Sequence, residues 1–240
     1  MDWNAILSNA FRSGISQQAI IFALAAIGLN LHFGYTGLLN FGQVAFMAAG
    51  AYGVGITTDT LGAPLWVGII VGLLAGVALG ILLGLPTLRL RADYLAIVTI
   101  AVGEIIRLVV RAAVLSDITG GSNGINGFAN SFQDWNPLNN NATYGFRLFD
   151  RINLEFSGAD LWELIVGWGL VLLSVLLVWK LVNSPWGRVL RSIREDEDAA
   201  TALGKNVFRF KMQSLILGGS FGTLAGIFYA VQQNSVQPDN

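Results

Sequence analysis

The chain has 240 residues, 54% hydrophobic and 12% charged, with 29 glycines, one histidine, no cysteine and a net charge of −1. A soluble domain carries about 25% charged residues, so this composition points into a membrane and away from nucleic acid, whose phosphates demand a basic surface. Without cysteine there is no disulfide, thiol chemistry or cysteine metal site, and the lone His32 cannot form a metal cluster by itself.

Residues 1–14 are mildly amphipathic and read either as an interfacial helix or as a frayed terminus. They lack the basic segment and small-residue cleavage site of a secretory signal. The first apolar run, 15–33, is long enough to cross a bilayer, which takes roughly 20 residues. It nevertheless carries Asn30 and His32. The stretch GYTGLLNFGQVAF joins it to a second run, 41–58. Its punctuation reads either as a tight turn or as a broken, re-entrant helix, which is tolerated at membrane depth only inside protein or beside a cavity. Asn30, His32, Tyr35, Asn40 and Gln43 gather there. They either line a substrate path or satisfy the backbone of the break itself.

The third run, 65–85, lies between Pro64 and Pro86. Gly68, Gly72, Gly76, Gly80 and Gly84 recur every four residues, making a smooth ridge against which a neighbouring helix packs closely. The fourth run, 94–114, places Glu104, Arg107 and Arg111 on one helical face. Ionisable groups in a span are costly unless they pair or face water. Glu104 and Arg107 read first as an internal ion pair that fixes packing, and second as a polar patch for a zwitterionic substrate.

Residues 116–160 are polar, turn-rich and too long for a simple connection. Their scattered aromatics suggest a small folded cap. A fifth run, 161–182, and a sixth, 212–231, follow. The sixth carries Gly218, Gly222 and Gly226, again one every four residues. About six spans give an all-α, polytopic helical membrane fold with both ends on one side. Lys180, Arg188, Arg191, Arg194, Lys205, Arg209 and Lys211, together with Arg89 and Arg91, lie on one side, against Arg12, Arg147 and Arg151 on the other. Basic loops are retained in the cytoplasm, so 184–211 is expected inside and 116–160 outside.

The charged stretch SPWGRVLRSIREDEDAATALGKNVFRFK separates the last two runs. Ser184 is a suitable N-cap and Pro185 fits the first helical position. A helix is expected to about Arg194, with Arg191 meeting Glu195 one turn on. Acidic residues 195–198 then open a second short helix, and Gly204 closes it. Ala199, Ala200 and Leu203 give that helix a small apolar face suited to a groove on a partner.

Asp198-Ala199-Ala200-x-x-x-Gly204 resembles the Glu-Ala-Ala-x-x-x-Gly motif of ABC importer permeases, with Asp in place of Glu. GLNLHFGYTGLLNFGQVAFMAAGAYG, LPTLRLRADYLAIVTIAVGEIIRLV and ITGGSNGI extend the resemblance to the M-type permease subunits of branched-chain amino acid ABC transporters. The resemblance implies a single permease domain over 1–240, with an external loop or cap at 116–160 and a cytoplasmic coupling element at 184–211. It implies that Arg191, Glu195, Glu197, Asp198, Ala199, Ala200, Leu203 and Gly204 form the surface docked on an ATPase. It implies a multi-pass protein of the bacterial plasma (inner) membrane. A second homologous permease, two cytoplasmic ATPase subunits and an external solute-binding protein are the expected partners, with ATP and Mg2+ bound on the ATPases. Family members usually continue with further spans, so a C-terminally truncated chain is expected. No phosphate-binding Gly-x-x-x-x-Gly-Lys-Ser/Thr loop occurs, and the chain is read as a transport subunit with no enzymatic activity of its own. Branched-chain or other neutral amino acids are the expected substrates. Urea or short amides, or an ion-coupled secondary transporter, are the alternatives.

Overall fold

A computed structural model describes residues 3–88, 92–140, 142–148 and 152–238. Arg89, Arg91 and Arg151, part of the basic asymmetry, lie outside the described residues. Helix α1 (Trp3–Gly14) leads into α2 (Gln17–Asn30), which Ser16 caps by accepting the Ala19 N–H. A π-helical turn, Leu31–Thr36, prolongs α2 and ends at Gly37, whose φ of 72° only glycine adopts freely. After an irregular segment come α3 (Gln43–Asp59), α4 (Leu65–Thr87) and α5 (Ala92–Arg111). The section 116–157 holds two single-turn helices, α6 (Ser116–Thr119) and α7 (Ser131–Asp134), and strands β1 (Ile125–Asn126), β2 (Thr143–Leu148) and β3 (Ile152–Ser157). Then follow α8 (Gly158–Val182), α9 (Pro185–Glu195), α10 (Glu197–Ala202), α11 (Val207–Gln233) and β4 (Ser235–Val236).

Among the described residues four helical segments are long and apolar enough to cross a membrane: Gln17–Thr36, Leu65–Thr87, Gly158–Val182 and Val207–Gln233. The chain is thus a polytopic helical membrane protein. Of the six expected runs, α3 has only 17 residues, about 25 Å of helix. Helix α5 has the length but carries Glu104, Arg107 and Arg111.

Helix α11 is the axis. It packs on α2, α3 and α4, and α3 in turn packs on α4 and α5. Small residues set these distances. A Cβ on Gly76 would lie 1.9 Å from Thr223 Oγ1, and one on Gly53 would lie 2.7 Å from the Cα of Gly72. Gly68, Gly72, Gly76, Gly80 and Gly84 all face inward, against α3 or α11. With no apolar driving force between helices in lipid, this close fit is what holds the helices together. The outward faces of α4 and α8 are the reverse: Trp66, Leu74, Leu82, Leu172 and Trp179 are exposed, as lipid-facing side chains are.

Section 116–157 closes one end of the bundle. Strand β1 pairs antiparallel with β4, Ile125 opposite Val236, so this section and the end of α11 lie together. Thr60 Oγ1 donates to the Ile118 carbonyl and brings the α3–α4 loop to the same end. Asn234 is the clasp. It sits at φ 50°, its Oδ1 accepts the Ala129 N–H at 2.6 Å, and its Nδ2 donates to Asn130 Oδ1 at 2.7 Å. Asn234→Ala loses both bonds and strains the backbone, at a cost of about 1–3 kcal/mol. The expected result is faster amide exchange over 125–131 with α4 and α8 unchanged; Asn234→Gly, which relieves the strain, gives the smaller effect.

Candidate functional site

The irregular backbone after α2 buries a set of polar groups. Thr36, at its inner edge, meets Ser214 of α11 at 2.5 Å between hydroxyl oxygens, and its Oγ1 donates to the Leu31 carbonyl. Residues 37–42 then return the chain to the level of Gly218 and Gly222 before α3 begins. The backbone here is an irregular segment of six residues, 37–42, rather than a tight turn. Thr99 of α5 supports the return, accepting the Phe41 N–H at 3.1 Å through Oγ1.

His32, Asn40 and Gln43 come together inside this bend. His32 Nε2 donates to the Leu215 carbonyl at 3.2 Å, which leaves Nδ1 to accept from Asn40 Nδ2 at 3.1 Å. Asn40 Oδ1 accepts the Gly42 N–H, forming the local turn. Gln43 Nε2 donates to the Gly218 carbonyl at 3.1 Å and lies 3.5 Å from that of Ala25. His32 and Asn40 are completely buried. The glycines of α11 make the room: a Cβ on Gly218 would lie 2.2 Å from His32 Nε2, and one on Gly222 2.5 Å from Gln43 Nε2. These side chains take up the polar atoms that a broken helix leaves at membrane depth. The arrangement is a sealed polar pin joining α2, α3 and α11. Gln43→Leu removes the bond to the Gly218 carbonyl and one bond to Asn40, costing about 1–3 kcal/mol. The check is a lower melting midpoint in detergent with insertion unchanged.

The other sequence-derived path candidates stand apart from this pin. Asn30 is exposed and Tyr35 half-buried on the outside of the bend. Glu104 and Arg107 pair on α5, Arg107 Nη2 donating to Glu104 Oε1 at 2.7 Å. Their side chains are 53% and 38% exposed, so the pair lies on the outward face of α5. Sequence reasoning missed the polar roles of Thr36 and Thr99, and read Ser214 only as a small residue of the α11 ridge.

The second part of the site is the helix pair at the opposite end from β1–β4. Pro185 opens α9, while Ser184 Oγ turns back to donate to the Leu181 carbonyl instead of capping the new helix. Gly187, Leu190 and Ile193 form the inner face of α9. Arg191 does not meet Glu195. Its Nη2 donates to the Val182 carbonyl at 3.0 Å, where the last carbonyls of α8 attract a cation. Glu195 instead accepts from Arg194, whose Nη1 donates to the Gly34 carbonyl at 2.5 Å. Trp186 Nε1 donates to Gln213 Oε1 at 2.9 Å and ties α9 to α11.

Asp196 caps α10, its Oδ1 accepting the Ala199 N–H at 2.9 Å, and Lys211 pairs with Glu197. The helix closes in a Schellman arrangement: Lys205 N–H reaches the Ala200 carbonyl, Gly204 N–H that of Thr201, and Gly204 takes φ 74°. The outward apolar face differs from the expected one at Ala200. That residue is 2% exposed and packs against Ile193 and Val207, because so short a helix needs its own anchor on α9 and α11. Asp198, Ala199, Leu203 and Gly204 remain outside, Leu203 at 78% exposure. Among the described residues no three His, Asp or Glu side chains converge as metal ligands do.

The sequence pattern described as branched-chain amino acid transport system / permease component matches residues 11–240. The chain is 33% identical over 230 residues to the high-affinity branched-chain amino acid transport system permease protein LivM of Escherichia coli (strain K12), covering 94% of this chain and 54% of that protein. Its counterpart in Salmonella typhimurium is 32% identical over 238 residues, with the same coverage. A probable branched-chain amino acid transport permease protein LivM of Methanocaldococcus jannaschii is 26% identical over 248 residues, covering 88% of this chain and 64% of that protein. The chain spans about half the length of the first two relatives. No solved structure matches it.

Proposed function

We propose a function from one premise: the chain belongs to the family of branched-chain amino acid transport system permease components. In this reading it is the membrane-spanning permease subunit of an ABC importer and moves branched-chain or other neutral amino acids across a bacterial plasma (inner) membrane. The match across residues 11–240 carries the reading. The described relatives support it, each being named a permease protein of branched-chain amino acid transport. The chain is a passive conduit here, and separate ATPase subunits binding ATP and Mg2+ supply the power. A second homologous permease completes the pair, and an external solute-binding protein delivers substrate.

The fold fits these roles element by element. The basic residues of 184–211 support a cytoplasmic place for α9 and α10. Residues 116–157, at the other end, then face outward and offer a docking surface to the binding protein. Asp198, Ala199, Leu203 and Gly204 form the surface presented to the ATPase. Glu104 and Arg107, an ion pair on an outward helix face, belong against protein or a water-filled path, since lipid alone makes them costly.

The test is reconstitution with co-purifying ATPase and binding-protein subunits, followed by uptake of labelled leucine, alanine and urea. ATP-dependent leucine uptake is the expected result. Uptake of urea alone reassigns the substrate, and uptake that collapses with an ion gradient and ignores ATP overturns the reading.

A further inference from the structure

We propose that Arg194 is the positioning residue that ties the cytoplasmic helix pair to the break in the first span, so that movement of α9–α10 is delivered to the polar pin at His32. The proposal rests on the importer reading above and names the contact through which a push enters the membrane.

Among the described residues, three side chains of α9 hydrogen-bond to other parts of the bundle. Arg191 reaches the end of α8, and Trp186 reaches Gln213 of α11. Arg194 alone among these reaches the π-helical turn, where Nη1 donates to the Gly34 carbonyl at 2.5 Å. That carbonyl belongs to the last turn of the π-helical segment, where carbonyls lack partners further along the helix. The contact is also steric. The Arg194 stem crosses Gly37 so closely that a Cβ there would lie 3.0 Å from Arg194 Cγ. Glu195 accepts from Nε at 3.2 Å and from Nη2 at 2.5 Å, so the other edge of the guanidinium is held and Nη1 is aimed at Gly34. A lysine has no planar fork with which to bridge the two acceptors.

What Arg194 grips is itself attached to the core. Two residues before Gly34, His32 holds the Leu215 carbonyl; two residues after it, Thr36 holds Ser214. A displaced Gly34–Gly37 segment therefore pulls on α11 at 214–215 and, through Asn40 and Gln43, on the start of α3. Single-turn π segments recur at functional sites in helices.

The experiment uses the complete transporter in proteoliposomes. Arg194→Ala and Arg194→Lys are expected to lower uptake at least tenfold while ATP hydrolysis stays within about twofold of wild type; a merely structural role lowers both together. Wild-type uptake in Arg194→Ala, or uptake and ATP hydrolysis falling together, overturns the proposal. Wild-type protein without ATP-driven uptake points instead to failure of the importer reading. Amide exchange then decides the tie alone: Arg194→Ala should lower protection over 31–36 at least tenfold, and unchanged protection overturns it.

Discussion

Gly226→Ala is expected to destabilise the helix bundle, whereas Gly169→Ala leaves its stability unchanged. The added methyl at 226 would sit 2.0 Å from the Met47 carbonyl oxygen and 2.5 Å from the Met47 Cα. Both are backbone atoms, so no side chain can rotate away and α11 must back off α3. Overpacking costs about 1–3 kcal/mol where side chains absorb it, and a backbone clash belongs at or above the upper end. For a chain of this size that lowers the melting midpoint in detergent by roughly 6–12 °C. At Gly169 nothing lies within 4 Å of the new methyl, so the same chemical change on another span is the control. Gly76→Ala should fall between them. The Thr223 Oγ1 it strikes can turn aside at the expense of its bond to the Gly219 carbonyl, which leaves the fixed Thr223 Cβ, 2.8 Å away, as the milder remaining clash. Equal midpoints for all three variants would show that the small-residue seams do not hold this bundle.

Leu203→Asp is expected to abolish uptake while the protein inserts and melts as wild type does. Leu203 is 78% exposed on a helix that rests on its neighbours through Ala200. A carboxylate there removes no contact within the chain but puts an unpaired charge into whatever apolar groove receives α10. Loss of a central interface contact costs about 2 kcal/mol or more, roughly a 30-fold weaker association. Co-purification of the ATPase subunit measures it directly. Ala200→Asp makes a poor probe of docking, because burial of Ala200 against Ile193 and Val207 means the helix pair itself opens. Wild-type uptake in Leu203→Asp would remove α10 from the docking surface.

How far the sequence foretold these features depends on whether each signal is local. Four-residue glycine spacing follows from helix geometry, so both ridges were legible at Gly68–Gly84 and Gly218–Gly226. What each glycine faces is tertiary, and Gly218 making way for His32 has no trace in the local pattern. The turn signals of GYTG located the break, but not its π geometry or the return of the chain over residues 37–42. Caps were read well where backbone conformation decides them, as at Gly204. They were read poorly where a long side chain has several acceptors in reach. Arg191 and Glu195 stand four apart, yet Arg191 serves the end of α8 because Val182 lies nearby in space. The spacing of Glu104 and Arg107 foretold the pair; that it sits on an outward face required the packing of α5 on α3.

The pairing of β1 with β4 sets an order of events during biogenesis. Ile125 meets Val236, more than a hundred residues later in the chain. At about 5–20 residues per second, the ribosome takes roughly 5–20 s to supply the second strand. Until α11 has been inserted, β1 lacks its partner strand and Ala129 lacks its acceptor on Asn234. This section is therefore completed only after α11 is in place, and its completion registers that α11 has inserted in the right orientation. Protease resistance of residues 125–131 in nascent chains of increasing length should appear only once Asn234 has emerged.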